Sequence, residues 1–342
     1  MPGPRAIPSR APFGDDKGRA CGPGTPSFVT GLENFSRPNL FCYNPFMSLA
    51  KAQQKEKTVR ESILNLLAYF AVWNLRLDFD RLYSYLQVPS GQLMVKKQLD
   101  GLVRQKKIRL VEGRYGLAKH KYPSQEKMLS KQARLLKKAN RWGRAIGQLP
   151  FVKAVVVVNS TAYGNTHDES DIDLFIITTP NRIFITKGIL MYALKLLRQL
   201  EDQYVSAGRF SLGMFLTTKG AKMEKDMMKV NEPDLVYRMI TGVPVYGSGV
   251  WYEILKNDSY LAPRLPNYVW PKINNRIYAS GLGLLDKLDS LGYRRHLKHT
   301  ASQAKSHHPD AFIRVRPDII NLHHKGTSAQ IAEKWLKIRT GI

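Results

Sequence analysis

Two carboxylates separated by a single residue, Asp171 and Asp173, stand at the opening of a strand-length apolar run, Ile172 to Ile177. Residues i and i+2 of a strand point to the same face, so both side chains project together. Carboxylates that close repel one another unless a cation lies between them, and hard oxygen ligands suit Mg²⁺. Upstream, a valine-rich run from Ala154 to Val158 reads as a strand buried on both sides, and it breaks at Asn159-Ser160. A turn at that break offers backbone N–H groups and the Ser160 hydroxyl, which suit phosphate oxygens. A phosphate cradle beside a carboxylate pair is what metal-assisted nucleotidyl transfer requires: the ion bridges triphosphate oxygens, neutralises developing charge and aligns the attacking hydroxyl.

An apolar strand, a small-residue-Ser turn, a spacer of about ten residues and then Asp-x-Asp opening a second strand resembles the DNA-polymerase-β-type nucleotidyltransferase superfamily. The second half, Ser170-Asp171-Ile172-Asp173-Leu174, fits that pattern closely. The resemblance implies metal binding by Asp171 and Asp173, phosphate binding by Ser160 and its turn, and an NTP as substrate. Arg182, following the second strand, is the basic side chain expected to steady the triphosphate, with Lys187 a weaker candidate. Two departures stand out. Asn159 occupies the place usually held by Gly; its side chain would either crowd the triphosphate or hydrogen-bond it, and Asn tolerates unusual turn dihedrals. Active members also carry a third acid on a later strand, yet the candidate strand Phe210 to Leu216 contains none. Glu201 and Asp202 precede it, and Glu224 and Asp226 follow; no pattern assigns any of them to the site. Asp168 and Glu169, on the spacer, read as surface acids.

Elements that must position this pair can be traced outward. Residues 1–55 hold 8 of the 19 prolines and no lasting period, so they read as a disordered head, and Met47 is a candidate translation start that leaves residues 1–46 in question. A helix follows from Thr58, with Thr58 and Glu61 as a capping box and Ile63, Leu64, Leu67 and Phe70 on its apolar face. A second helix spans Phe79 to Leu86 behind Asp78. A third spans Gly91 to Gln105 behind Ser90, burying Leu93, Val95, Leu99 and Leu102. Ile108 to Val111 and Tyr115 to Leu117 then flank a Glu112-Gly113-Arg114 turn. Three helices and a hairpin make the order of a winged helix over residues 56–120, its third helix carrying Lys96, Lys97, Arg104, Lys106 and Lys107. A basic linker helix over 121–150 ends near Gly147 and Pro150. A basic winged helix before such a domain is similar to a group of uncharacterised bacterial nucleotidyltransferase-like proteins, a resemblance that extends to Pro244-Val245-Tyr246-Gly247.

Composition agrees. The 342 residues are enough for two domains, and 53 basic against 27 acidic side chains give +26, which points to a polyanionic partner. Residues 51–150 hold about 22 basic and 7 acidic side chains, so roughly +15 of that charge lies there. Two cysteines in the head, Cys21 and Cys42, exclude a Cys-based zinc site and suit a reducing cytoplasm. No run approaches the ~18 apolar residues of a membrane span. The histidines His296, His299, His307, His308, His323 and His324 lack metal-ligand spacing, and Gly281 and Gly283 lack the strand–helix context of a dinucleotide loop. The expectation is an α+β protein: winged helix, then a small mixed sheet flanked by helices over 151–255, then a helical region over 256–342. Its function is Mg²⁺-dependent transfer of an NMP to an unidentified acceptor. The alternative is a catalytically degenerate regulator that binds nucleotide or, through the winged helix, nucleic acid.

Overall fold

The computed structural model describes residues 45–202, 204–219, 234–272, 283–303, 312–323 and 327–342. The chain begins there with α1 (Pro45–Val72), α2 (Phe79–Tyr85), α3 (Gln92–Arg104) and the antiparallel hairpin β1 (Ile108–Val111) and β2 (Arg114–Leu117). Four expectations change locally. Residues 45–55 of the expected head belong to α1, while residues 1–44 lie outside the described part. Thr58 does not cap: it is already inside α1, and its Oγ1 donates to the Gln54 carbonyl at 2.8 Å. Ser90 does not cap α3 either; Gly91 takes the N-cap position and Ser90 Oγ bonds Val88 O at 3.3 Å. Leu93, expected in the core, is 84% exposed, and Gln98 is buried one turn further on. Asp78 does cap α2, accepting from Arg81 N at 2.9 Å. Glu112 and Gly113 both take positive φ, so the hairpin closes on the two-residue turn whose twist matches its strands.

Helix α4 (Gln125–Gly147) leads to β3 (Val152–Val157), short helix α5 (Asn159–Tyr163) and β4 (Ile172–Thr178). Helix α6 (Ile183–Leu196) then crosses to β5 (Phe210–Thr217), which lies parallel to β4. After α7 (Asp234–Ile240) come β6 (Val243–Tyr246), α8 (Ser248–Asn257), a short 3₁₀ turn and α9 (Gly283–Gln303). The chain closes with β7 (Phe312–Arg316), β8 (Ile319–His323) and α10 (Thr327–Thr340). One mixed sheet in the order β6-β3-β4-β5-β8-β7 collects six of these strands. The fold is therefore mixed α and β, as expected. The region after residue 256 is not purely helical, because β7 and β8 extend the sheet through β8 antiparallel to β5. Of the histidines, His296 packs edge-on against Phe184, while His307, His308, His324 and Gly281 lie outside the described residues.

Both sheet faces are covered, which is why β3 and β4 are almost continuously apolar. Ile172, Leu174 and Ile176 face α4 and α6; Phe175 and Ile177 face α7, α8 and α1. Asp171 and Asp173 share the parity of the second set, so they point toward the side that α1 covers. Edge strand β6 tolerates Pro244 and receives α4, where a Cβ at Gly143 would come within 2.3 Å of Val245 Cγ2. Trp335 of α10 donates to the Asn65 carbonyl at 3.1 Å and ties the chain's last helix to α1. Among the described residues no helix is long and apolar enough to cross a membrane.

Gly247 fixes the turn from β6 into α8. Its φ is +64°, and a Cβ there would lie 1.9 Å from the Lys153 carbonyl oxygen. Gly247→Ala is therefore expected to cost about 2–4 kcal/mol, combining a left-handed φ with a backbone clash. Urea unfolding checks this; a loss below roughly 0.5 kcal/mol would contradict the packing described.

Candidate active site

The break after β3 places Asn159 at φ +58°, the left-handed conformation that Gly usually supplies and Asn tolerates. This turn aims its amide at β4: Asn159 Nδ2 donates to Asp173 Oδ2 at 2.9 Å. Asn159 Oδ1 is buried and accepts no hydrogen bond. Ser160 opens the single turn of α5, which ends at Gly164 in the left-handed region. Three side chains hold the short helix in place. Gln132 of α4 donates to Thr161 O at 3.0 Å, Thr161 Oγ1 donates to Asp171 O at 2.9 Å, and Trp73, in the turn after α1, stacks on Tyr163 at 4.8 Å.

Asp171 and Asp173 come together with a third acid, Glu201. Leu200 forms a parallel bridge with Phe210 at the start of β5, and Glu201 N donates to Phe210 O at 3.0 Å. Glu201 thus enters beside Ser211, whose β5 position pairs with Asp173 of β4. Its carboxyl hydrogen-bonds the carboxyl of Asp171, and its charge also acts on Asp173. Glu201 had no assignment in the sequence because it lies outside any strand; it precedes β5 by nine residues and returns through a loop. Neighbouring Asp202 turns away: Oδ1 accepts from Tyr204 N and Val205 N, and Oδ2 pairs with Arg209 at 2.6 Å. Asp168 is exposed and pairs with Lys131 at 2.9 Å, as a surface acid should. Glu224 and Asp226 lie outside the described residues.

Electrostatics follow from crowding. Loss of water, then the Asp173 charge, then the bond to Glu201 push the Asp171 carboxyl up to about 8. Asp173 is also raised, chiefly by burial and further by Glu201, against the pull of Asn159, Arg238 and Ser211. Among the described residues no three acidic, His or Cys side chains already stand at metal-holding separations. In chemical type, though not in their present spacing, the donors are those a hard divalent cation takes: the carboxyls of Asp171 and Asp173 at the start of β4 and of Glu201 from a loop, with the buried, unsatisfied Oδ1 of Asn159, whose amide bonds Asp173.

Behind the acids lies a buried polar chain. Tyr69 of α1 donates to Asp234 Oδ1 at 2.6 Å, so the 2.8 Å contact between the Tyr69 and Tyr163 hydroxyls has Tyr163 as donor. Asp234 also pairs with Arg238 one turn along α7 at 2.8 Å, and both are buried. Burial raises both tyrosines well above the usual phenol range, so each keeps its proton. Arg238 in turn lowers Asp173, which links α1 and α5 to the acid cluster through one charge network.

Arg182 does not join this site. It follows the C-terminal end of β4, the opposite end from Asp171, and is fully buried. Its guanidinium binds Asn181 O and Asp286 of α9, 5.4 Å from the Phe151 ring. Its role is to dock α9 on the sheet. Lys187 is buried beneath β5 with Nζ 3.4 Å from Leu212 O, and burial lowers it to about 8.

A carboxyl whose folded pKa lies above its unfolded value of about 3.9 holds its proton better in the folded state. Metal-free protein should therefore lose stability as pH rises from about 4 through about 8. Asp171→Asn, which keeps the shape without the charge, should flatten that slope and raise the thermal midpoint at pH 8 in EDTA. An unchanged slope in the variant would mean that Asp171 is not the group whose raised pKa sets it.

Comparison of the chain with known protein families, with characterised proteins and with solved structures returns no match, so the functional reading rests on the geometry of the acid cluster.

Proposed function

We propose that the protein is a Mg²⁺-dependent nucleotidyltransferase of the polymerase-β type, transferring an NMP from an NTP to an acceptor hydroxyl with release of pyrophosphate. The observation that carries this reading is the convergence of Glu201 on Asp171 and Asp173. It supplies, from outside β5, the third acid whose absence from that strand was the main departure from the family pattern. The strand relations support it too: β3 antiparallel to β4, and β4 parallel to β5 through the α6 crossover.

Asp171, Asp173 and Glu201 would hold the ion, which when bound supplies charge neutralisation at the triphosphate and lowers the pKa of an attacking hydroxyl. Ser160 and the N–H groups of its turn would receive phosphate oxygens. Asn159 is read differently from the expectation that it contacts nucleotide: it orients Asp173. Glu201 would take the proton of the acceptor hydroxyl as that oxygen bonds to the α-phosphorus and pyrophosphate leaves. Arg182 has no part in it, and Arg238 supplies the buried positive charge. Helices α1–α3 with the β1–β2 hairpin are read as a winged helix, through whose first helix Tyr69 steadies the turn that carries Ser160.

Pyrophosphate release from the four NTPs, with Mg²⁺ and total cellular RNA as acceptor, tests the reading. Asp171→Ala and Asp173→Ala should each lower the rate by about 10³-fold or more, Glu201→Gln by about 10²-fold, and Asp202→Asn by less than about threefold. Failure of every NTP both to bind in a Mg²⁺-dependent way and to release pyrophosphate would refute it. Equal loss in the Glu201 and Asp202 variants would remove Glu201 from the site.

A further inference from the structure

Away from the acid cluster, a cleft of about 780 Å³ lies between the α1–α2 link, the root of the β1–β2 hairpin and the segment that follows it. Arg76, Lys106, Arg109, Lys119, His120 and Lys121 line it together with Ala118 and Tyr122, and no carboxylate does. Five cations facing one concavity without an acid repel each other, and a protein tolerates that when an anion is the intended occupant. His120 reports the same field: burial and the Arg76 charge hold it below the usual imidazole range.

The cleft is built rather than incidental. The Arg76 guanidinium lies over the Tyr122 ring, 4.3 Å from its centroid, and the Tyr122 hydroxyl accepts from Leu117 N at 2.9 Å. Gly116 makes room for both, since a Cβ there would meet Arg76 Cγ and the Tyr122 ring at 2.9 Å. His120 packs edge-on against the same ring at 4.7 Å, and its Nε2 lies 3.0 Å from Asn74 Oδ1. Lys106, Arg109, Lys119 and Lys121 have exposed side chains around this fixed floor.

We propose that this cleft binds the phosphodiester backbone of a nucleic acid without reading its sequence. Tyr122 is already engaged within the fold by Arg76 and His120, whereas every cation around it suits phosphate oxygens. The charge also continues beyond one phosphate group. Three residues past Tyr122, α4 begins, and its exposed Lys127, Arg134 and Arg141 recur every seven residues along one helix face, about 10.5 Å apart. A free nucleotide would use only part of that track; a polyanion fits its length. The location differs from the groove-reading role expected of α3, whose Lys97 is paired with Glu56 at 2.9 Å and whose Leu93 faces solvent. Nothing here depends on chemistry at Asp171.

Fluorescence anisotropy with a labelled 20-nucleotide single-stranded RNA of mixed sequence, and with its duplex, tests the proposal across KCl concentrations. Wild-type protein should bind with a log–log salt slope of about −3 or steeper. The triple variant R109E/K119E/K121E should bind at least about tenfold more weakly, with a slope shallower by about 2. Neutralisation of the same three to Gln should fall between, with thermal midpoints confirming that the variants fold. Three results would overturn the proposal: no binding by wild type, an unchanged slope in the triple variant, or stoichiometric displacement of the RNA by an NTP or inorganic triphosphate at matched ionic strength. The last would assign the cleft to a free polyphosphate instead.

Discussion

Mutual repulsion among Asp171, Asp173 and Glu201 in a poorly hydrated recess is the constraint around which the sheet's open end is organised. Water would ordinarily screen such charges, but burial removes most of it, and each additional carboxylate raises the cost of ionising the next. The protein meets this cost by raising the pKa of the Asp171 carboxyl, with an amide donor from Asn159 to Asp173, and with a buried guanidinium, Arg238, nearby. A divalent cation would satisfy the same three groups at once. Repulsion left in place by the fold, where an apolar side chain would pack without penalty, is the feature on which the proposed ion site rests.

Keeping the acids in register demands rigidity on every side. Asn159 in a left-handed conformation turns the chain from β3 into α5 while aiming its amide across to β4. Tyr163, Tyr69, Asp234 and Arg238 then run as one donor–acceptor chain from α5 through α1 to α7. Removing one member would leave a buried hydroxyl or charge without its partner, which is costlier than losing the bond itself. Helix α1 and the turn after it are therefore structural partners of the acid cluster, because Tyr69 bonds Asp234 and Trp73 stacks on Tyr163.

Much of this arrangement was legible in the residues alone. The valine run and the Asp-x-Asp spacing led to β3 and β4 with two carboxylates on a common face, whereas the Asn159-Ser160 break read as a turn and is the short helix α5. Glu201 was not legible as a member, because a parallel bridge of one residue, Leu200 to Phe210, leaves no periodic trace. Arg182 misled for the converse reason: its position after β4 suits a phosphate ligand, but β4 is seven residues long and carries it to the far end. The β7–β8 hairpin escaped notice although Ile313 and Val315 alternate with Arg314 and Arg316 ahead of a Pro317-Asp318 turn. Leu93 failed as a core residue because α3 begins at Gln92, and its buried stripe runs through Val95, Gln98, Leu99 and Leu102. Local pattern carried the strands; side-chain partnerships reached across loops could only be seen in three dimensions.

The central claim is that one site holds either a proton or a divalent cation. Isothermal titration of the metal-free protein with Mg²⁺ or Mn²⁺ near pH 7, repeated in buffers of different ionisation enthalpy, measures this exchange directly. The account predicts one ion bound with release of about one proton per ion, and loss of that release when Asp171 is replaced by Asn. Binding without proton release, or no binding at all, would contradict it.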